Sequence, residues 1–236
     1  MNTSLSIILQ RRAIRAFEPV QLSSEMRELI LNAARSAPSS FNIQPYRFYW
    51  IESPGTKTLA SQLCMGQKAA QTASALVVAV ADIGSWRSTV ESELQWMRVS
   101  GVDQAEVDRR EKKSKLGKWF FIQGWFGCLG VLKWLILRII HFWRPIGTPP
   151  VFRSGMFKWA TKNTSLACEN LMIAAEALGL NTCPMEGFDN RRLSRMLNLN
   201  SRYHEIVMVI AIGRKSPLHI DQPQWRRPIE ATVTFL

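Results

Sequence analysis

The chain is short of several things, and each shortage excludes a class of protein. It has 236 residues with only three histidines and four cysteines. The cysteines, Cys64, Cys128, Cys168 and Cys183, form no CxxC pair, and none joins histidine at zinc spacing. No metal is therefore expected, and the thiols read as those of a reduced, cytoplasmic protein. There is no GxGxxG and no GxxxxGK[ST], so neither a Rossmann fingerprint nor a P-loop is offered. The start, MNTSLSIILQRR, lacks a basic n-region and carries only a short apolar run, which does not read as a signal peptide. No internal repeat or low-complexity linker is visible.

Acidic residues are also scarce, 18 against 30 Lys and Arg, for a net charge of +12. The imbalance is local. Residues 109–162 hold twelve basic residues and one acid, Glu111, which is +11. The remainder holds eighteen basic and seventeen acidic residues, which is +1. A nearly neutral single domain over 1–236 thus carries one basic insert at about 100–162. Hydrophobic residues make up 47% and charged residues 20%, the balance of a folded globular chain. Nucleic acid is not an expected partner. The basic segment is apolar and Trp-rich at its centre, unlike a solvated phosphate-binding stripe.

Hydrophobic periodicity predicts helices over 2–15, 25–35, 56–72 and 163–180, and a short one over 190–199. Ser23 or Ser24 can cap the second, and Asn163 or Thr164 the fourth. Strands are predicted at 46–52, at ALVVAVAD (75–82), at EIVMVIAIG (205–213) and at the terminal ATVTFL. NTCPMEGFD (181–189) reads as a loop. Helices and strands mix without a strict βαβ rhythm, so the class is α+β.

Four clusters carry chemistry. In QRRAIRAF, Arg11 and Arg15 are four apart and Arg12 lies beside them. Guanidinium forks suit phosphate oxygens, although a solvated basic helix end reads as well. APSSFNIQP (37–45) sets Ser39, Ser40, Asn42 and Gln44 beside Pro38. These groups are uncharged and suit a polar, neutral ligand; a turn capping itself is the other reading. In CPMEGFD, Pro184 and Gly187 frame a turn whose backbone N–H groups can face a ligand, and Glu186 is an acid/base or a helix cap. QPQWRRP places Arg226 and Arg227 between prolines, where they can return to the same phosphate.

Taken in order, RRAIRAF, AARSAPSSFNIQPYRF, ACENLMIAAEALGLNTCPMEGFD and VMVIAIGRK resemble the FMN-dependent nitroreductase family over residues 7–82 and 163–236. The resemblance implies a central mixed or antiparallel sheet flanked by helices, in an intertwined homodimer with FMN at the interface. Arg11, Arg12, Ala13 and Arg15 match the N-terminal motif that holds the FMN phosphate and the pyrimidine edge of the ring. Pro38, Ser39, Ser40, Asn42 and Gln44 match a loop that reaches FMN from the partner subunit. Pro184, Met185, Glu186 and Gly187 match the loop over the flavin, with backbone at Glu186 and Gly187 near N5. Arg226 matches a late arginine on the phosphate, and Gln67 or Lys68 a contact to the pyrimidine edge. Ala13, Gln224 and Tyr46 depart from the common serine, lysine and tryptophan. The implied reaction passes hydride from NADH or NADPH through flavin N5 to a nitroaromatic, quinone or similar lipophilic small molecule. No catalytic side chain is required; Arg15 would offset negative charge at the ring edge. Reductive dehalogenation, flavin breakdown, or a membrane-surface flavoprotein without turnover are the alternatives.

The insert stands apart. From Trp119 to Trp143 the only charged residues are Lys133 and Arg138. Lys133, Arg138 and His141 fall within about a 140° arc at 100° per residue. Fourteen uncharged residues separate Lys118 from Lys133, too few for a membrane span. Residues 118–144 therefore read as a lid over the site, as an amphipathic helix on the inner face of a membrane, or as both.

Overall fold

The computed structural model describes residues 3–122, 128–147 and 150–236. Its centre is β3 (Ala75–Asp82), in which every residue is buried. Side chains alternate across a strand, so β3 serves two cores at once. Leu76, Val78 and Val80 face one side, where α3 (Pro54–Leu63), α4 (Lys68–Thr72) and α9 (Asn190–Met196) supply Ala60, Ala69, Ala70 and Leu193. Val77 and Ala79 face the other, against Ile30 and Ala34 of α2 (Ser24–Arg35) and Leu171 and Ala175 of α8 (Arg153–Ala177). Burying one such aliphatic side chain contributes roughly 1.5–3 kcal/mol.

On its two edges β3 pairs antiparallel with β2 (Tyr46–Ile51) and β5 (His204–Lys215). Short β1 (Phe17–Glu18) and β4 (Asn181–Met185) both pair antiparallel with β5. The chain is α+β, as expected. Ser23 caps α2 by accepting from the Met26 N–H at 3.1 Å. A third core joins α5 (Trp86–Val99) and α6 (Gln104–Phe121) around Trp86, Leu94 and Val107. Phe121 ends α6 stacked on Trp86, with centroids 5.1 Å apart.

Several expected boundaries shift. The first helix, α1, spans only Thr3–Gln10, because Ala13 leaves to bridge Thr182 in parallel. The 56–72 helix breaks into α3 and α4 where Met65 and Gly66 take φ of 56° and 64°. Helix α8 starts ten residues before Asn163, so neither Asn163 nor Thr164 caps it; Thr164 Oγ1 bonds the Ala160 carbonyl instead, at 2.9 Å. Asn181 to Met185 form β4 and are not loop. ATVTFL forms no strand: Ile229–Ala231 is a 3-10 turn and the end of the chain is exposed.

The insert holds α7 (Cys128–Trp143). Lys133 is 3% exposed and donates to the Ile122 carbonyl. Of the expected cationic face of Lys133, Arg138 and His141, only Arg138 and His141 reach solvent, and Lys133 turns inwards. Gly130 is buried with Lys133, and a Cβ there would meet the Val151 carbonyl oxygen at 2.7 Å. This close approach sets which side of α7 faces the body.

Candidate functional site

A basic edge forms where the N-terminal segment crosses β4. The Ile14 N–H donates to the Thr182 carbonyl at 2.9 Å, next to the Ala13–Thr182 bridge. Arg11 lies 3.5 Å from Glu169 on α8. Arg15 is exposed, and its positive charge draws the Cys183 thiol down while burial, the larger cause, pushes it up. From Thr182 the strand runs through Cys183, Pro184 and Met185 to exposed Glu186 and Gly187.

Gln67 closes the next side. Its Nε2 donates to the Gly187 carbonyl at 2.7 Å and to the Cys64 carbonyl at 3.1 Å. A Cβ on Gly187 would lie 3.2 Å from that amide, so a side chain there would crowd Gln67. The Asp189 N–H bonds the Leu63 carbonyl at 2.8 Å, and its carboxylate caps α9 by accepting from the Arg192 N–H at 2.9 Å. The cap is Asp189, not Glu186. The late segment returns to this edge. Arg12 donates to the Gln222 carbonyl, and Gln224 Nε2 donates to the Arg11 carbonyl at 3.1 Å. Arg226 follows two residues later, exposed, with its guanidinium on the Trp225 carbonyl at 3.0 Å. Arg11, Arg12, Ala13, Arg15, Gln67 and Pro184 to Gly187 thus share one neighbourhood, with 222–224 against it.

The polar loop lies elsewhere. It follows α2 and enters β2 at Tyr46, opposite Ala81 at the far end of β3. The basic edge sits at Thr182, which pairs with Ile212, and Ile212 pairs with Ala75 at the near end. The two ends are about 20 Å apart at ~3.3 Å per residue. One chain does not bring its two clusters together.

The loop is tightly held. Ser39 Oγ accepts from the Gln44 N–H at 3.0 Å, and Gln44 Nε2 donates to Asn42 Oδ1 at 3.1 Å, so it does cap itself. It is also strained: Phe41, Asn42 and Gln44 have φ of 57°, 52° and 49°. Backbone strain in non-glycine residues persists only where surroundings enforce it, and it concentrates at functional sites. Three residues that the sequence reading misses enforce it here. Asn163 on α8 accepts from the Ser40 N–H at 2.8 Å. Glu93 on α5 accepts from Asn42 Nδ2 at 3.0 Å. Arg110 on α6 pairs with Glu93 and donates to the Phe41 carbonyl at 3.0 Å. Asparagine inside an alanine- and leucine-rich helix is the one visible signal of this support, since its side chain competes with helix bonding. The loop presents Pro38, Ser40 and Asn42 to solvent, and Phe41 at its tip is 65% exposed.

The family model that matches this chain is described as the nitroreductase family, over residues 8–123 and 150–214. The chain belongs to the nitroreductase family. Protein DrgA of Synechocystis sp. is 28% identical over 221 residues, covering 93% of this chain and 86% of that protein. An NADH dehydrogenase of Thermus thermophilus is 26% identical, covering 96% of this chain and 93% of that protein. A nitroreductase-type protein of Exiguobacterium sibiricum, solved in complex with FMN, superposes with a TM-score of 0.75 at 22% identity over 100% of this chain and 98% of that one. At that identity the likeness speaks for the fold. The residues between the matched stretches, 124–149, include all of α7.

Proposed function

We propose that this nitroreductase binds FMN as a homodimer and uses NADH or NADPH to reduce a small acceptor, a nitroaromatic, a quinone or a similarly lipophilic molecule. The observation that carries the reading is the basic edge beside the Gln67–Gly187 contact. Its donor set fits FMN. Arg11, Arg12 and Arg15 offer guanidinium forks for a phosphate, with Arg226 close in sequence to the segment that seats Arg11 and Arg12. Gln67 offers an amide for the polar edge of a heterocycle, and Pro184 to Gly187 an open turn with backbone N–H groups.

When bound, FMN would supply the two-electron chemistry. The chain binds and orients. The guanidiniums would hold and neutralise the phosphate, and Arg15 would offer positive charge to offset that of the reduced ring. Gly187 keeps the turn free of a side chain, so a flat nicotinamide or acceptor can stack. No side-chain acid is needed. The polar loop suits ribityl hydroxyls and the flavin edge, but it sits about 20 Å along the sheet from its own basic edge. A second copy, presenting Ser39 to Gln44 and the exposed Phe41, would complete the site. The relatives' names support the reductant and the cofactor: one is an NADH dehydrogenase, and another structure holds FMN.

The test is the visible spectrum of the purified protein under nitrogen, before and after NADH or NADPH. A yellow protein that bleaches supports the reading and gives the nucleotide preference. A colourless protein that FMN does not reconstitute overturns it and leaves a fold kept without its chemistry.

A further inference from the structure

Helix α7 turns its lysine inwards and its oils outwards. Gly130 and Lys133 are buried against the body. On the opposite side Ile139 is 65% exposed, Phe142 82% and Trp143 80%, and Leu129, Leu132, Leu135 and Ile136 are exposed with them. At 100° per residue these seven, with exposed Cys128 among them, fall within about a 140° arc. Two cations flank the stripe. Arg138 lies about 110° to one side of its centre, and exposed Arg144 follows the last turn of the helix. Arg138 rests over the Trp134 ring, 5.3 Å from its centroid, so its stem covers apolar surface while its charge stays wet. The surrounding segment, 109–162, carries +11. Sixteen residues of helix measure about 24 Å, short of the ~30 Å hydrocarbon core, and no described helix is long and apolar enough to cross a membrane.

We propose that α7 lies along the surface of an anionic bilayer. Its stripe sits at the boundary between headgroups and acyl chains, with Arg138 and Arg144 at the level of the lipid phosphates. Charge complementarity favours this occupant over a second copy of the chain. A contact of this stripe with its own equivalent would bring two segments of +11, each with one acid, into one interface, where like charge opposes like. Anionic lipid supplies the missing negative charge.

The experiment is flotation of the full chain with phosphatidylcholine vesicles, with and without phosphatidylglycerol, at low and high salt. It needs neither FMN nor nicotinamide, so it stands or falls apart from the flavin reading. The protein is expected to float with the anionic vesicles at low salt and to be released by salt. Ile139→Glu and Phe142→Glu should each weaken binding about tenfold or more with an unchanged thermal melt, since both side chains are exposed. Cys128, within the stripe, should be alkylated several-fold more slowly when anionic vesicles are present. Three results would overturn the proposal: a protein that stays in the soluble fraction at low salt, stripe variants that float like the parent, and stripe variants that instead convert a stable dimer to monomer.

Discussion

β3 and α7 look alike as strings of letters and behave oppositely in the fold. ALVVAVAD is buried on both faces, because two helical layers and two neighbouring strands close over it. LKWLILRIIHFW is also rich in apolar residues, though it carries Lys133, Arg138 and His141, and most of its large side chains face solvent. The difference is where each run finds a partner. β3 finds all of its partners within the chain, so its side chains support the fold. Among the described residues, α7 is buried only at Gly130 and Lys133, so its apolar stripe contributes little to folding and remains free for something outside the chain. Apolar content by itself does not say which case holds.

The sharpest way to break this comparison is through stability. Leu171→Ala, beneath the sheet, should cost about 2–5 kcal/mol in urea unfolding. Ile139→Ala on α7 should cost less than about 0.5 kcal/mol. Equal losses would mean that α7 belongs to the core after all.

A smaller effect separates the polar loop from the sheet that carries it. Glu93→Gln keeps the size of the side chain but removes the charge opposite Arg110 and the best acceptor for Asn42. With strained Phe41, Asn42 and Gln44 less well enforced, FMN affinity should fall about five- to tenfold, and because the pair is largely shielded, global unfolding should lose about 1–3 kcal/mol. Protease cleavage near Phe41 should quicken. Unchanged affinity and unchanged cleavage would show that the loop holds its shape without the pair.

The thiols give the mildest contrast. Burial pushes Cys64 up to about 11 and Cys168 up to about 12, and burial also raises Cys183, whereas Cys128 is exposed on α7. A thiol whose pKa lies above the medium carries little thiolate. Near pH 8, iodoacetamide should therefore add a single mark to the native protein, at Cys128, seen by peptide mass. Marking of Cys64 or Cys168 at a similar rate would mean that the body opens as readily as the insert.

Local signals were the legible part. The run in β3, the Ser23 cap and the leucine periodicity of α8 all act within a few residues, so pattern and propensity identify them. The rest depends on residues far apart in the chain. Helix α1 ends early because Ala13 meets Thr182, a contact no spacing reveals. Asn163 resembles a cap in sequence, but it is buried inside a longer helix and holds the Ser40 backbone. Glu93 and Arg110 sit on separate helices and meet only when α5 and α6 fold together. Lys133 points inwards because Gly130 docks closely on Val151, a packing fact that a helical projection omits. Within the site, the basic edge and the Pro184–Gly187 turn lie together as their motifs suggested, and Gln67 joins them. The polar loop does not join them within one chain, which turns the question from one of residues to one of copies.

Complementation between two damaged copies asks that question most directly. One variant carries Arg12→Ala and Arg15→Ala; the other carries Ser40→Ala and Asn42→Ala. Each alone should bind FMN at least about tenfold more weakly than the parent. The two are then co-expressed with different tags and purified through both. If two copies share each site, the mixed dimer holds one intact site and one doubly damaged site. It should then bind about one FMN per two chains with near-parental affinity. A mixed species that binds no better than either variant would contradict the shared site and place the whole of it within a single chain.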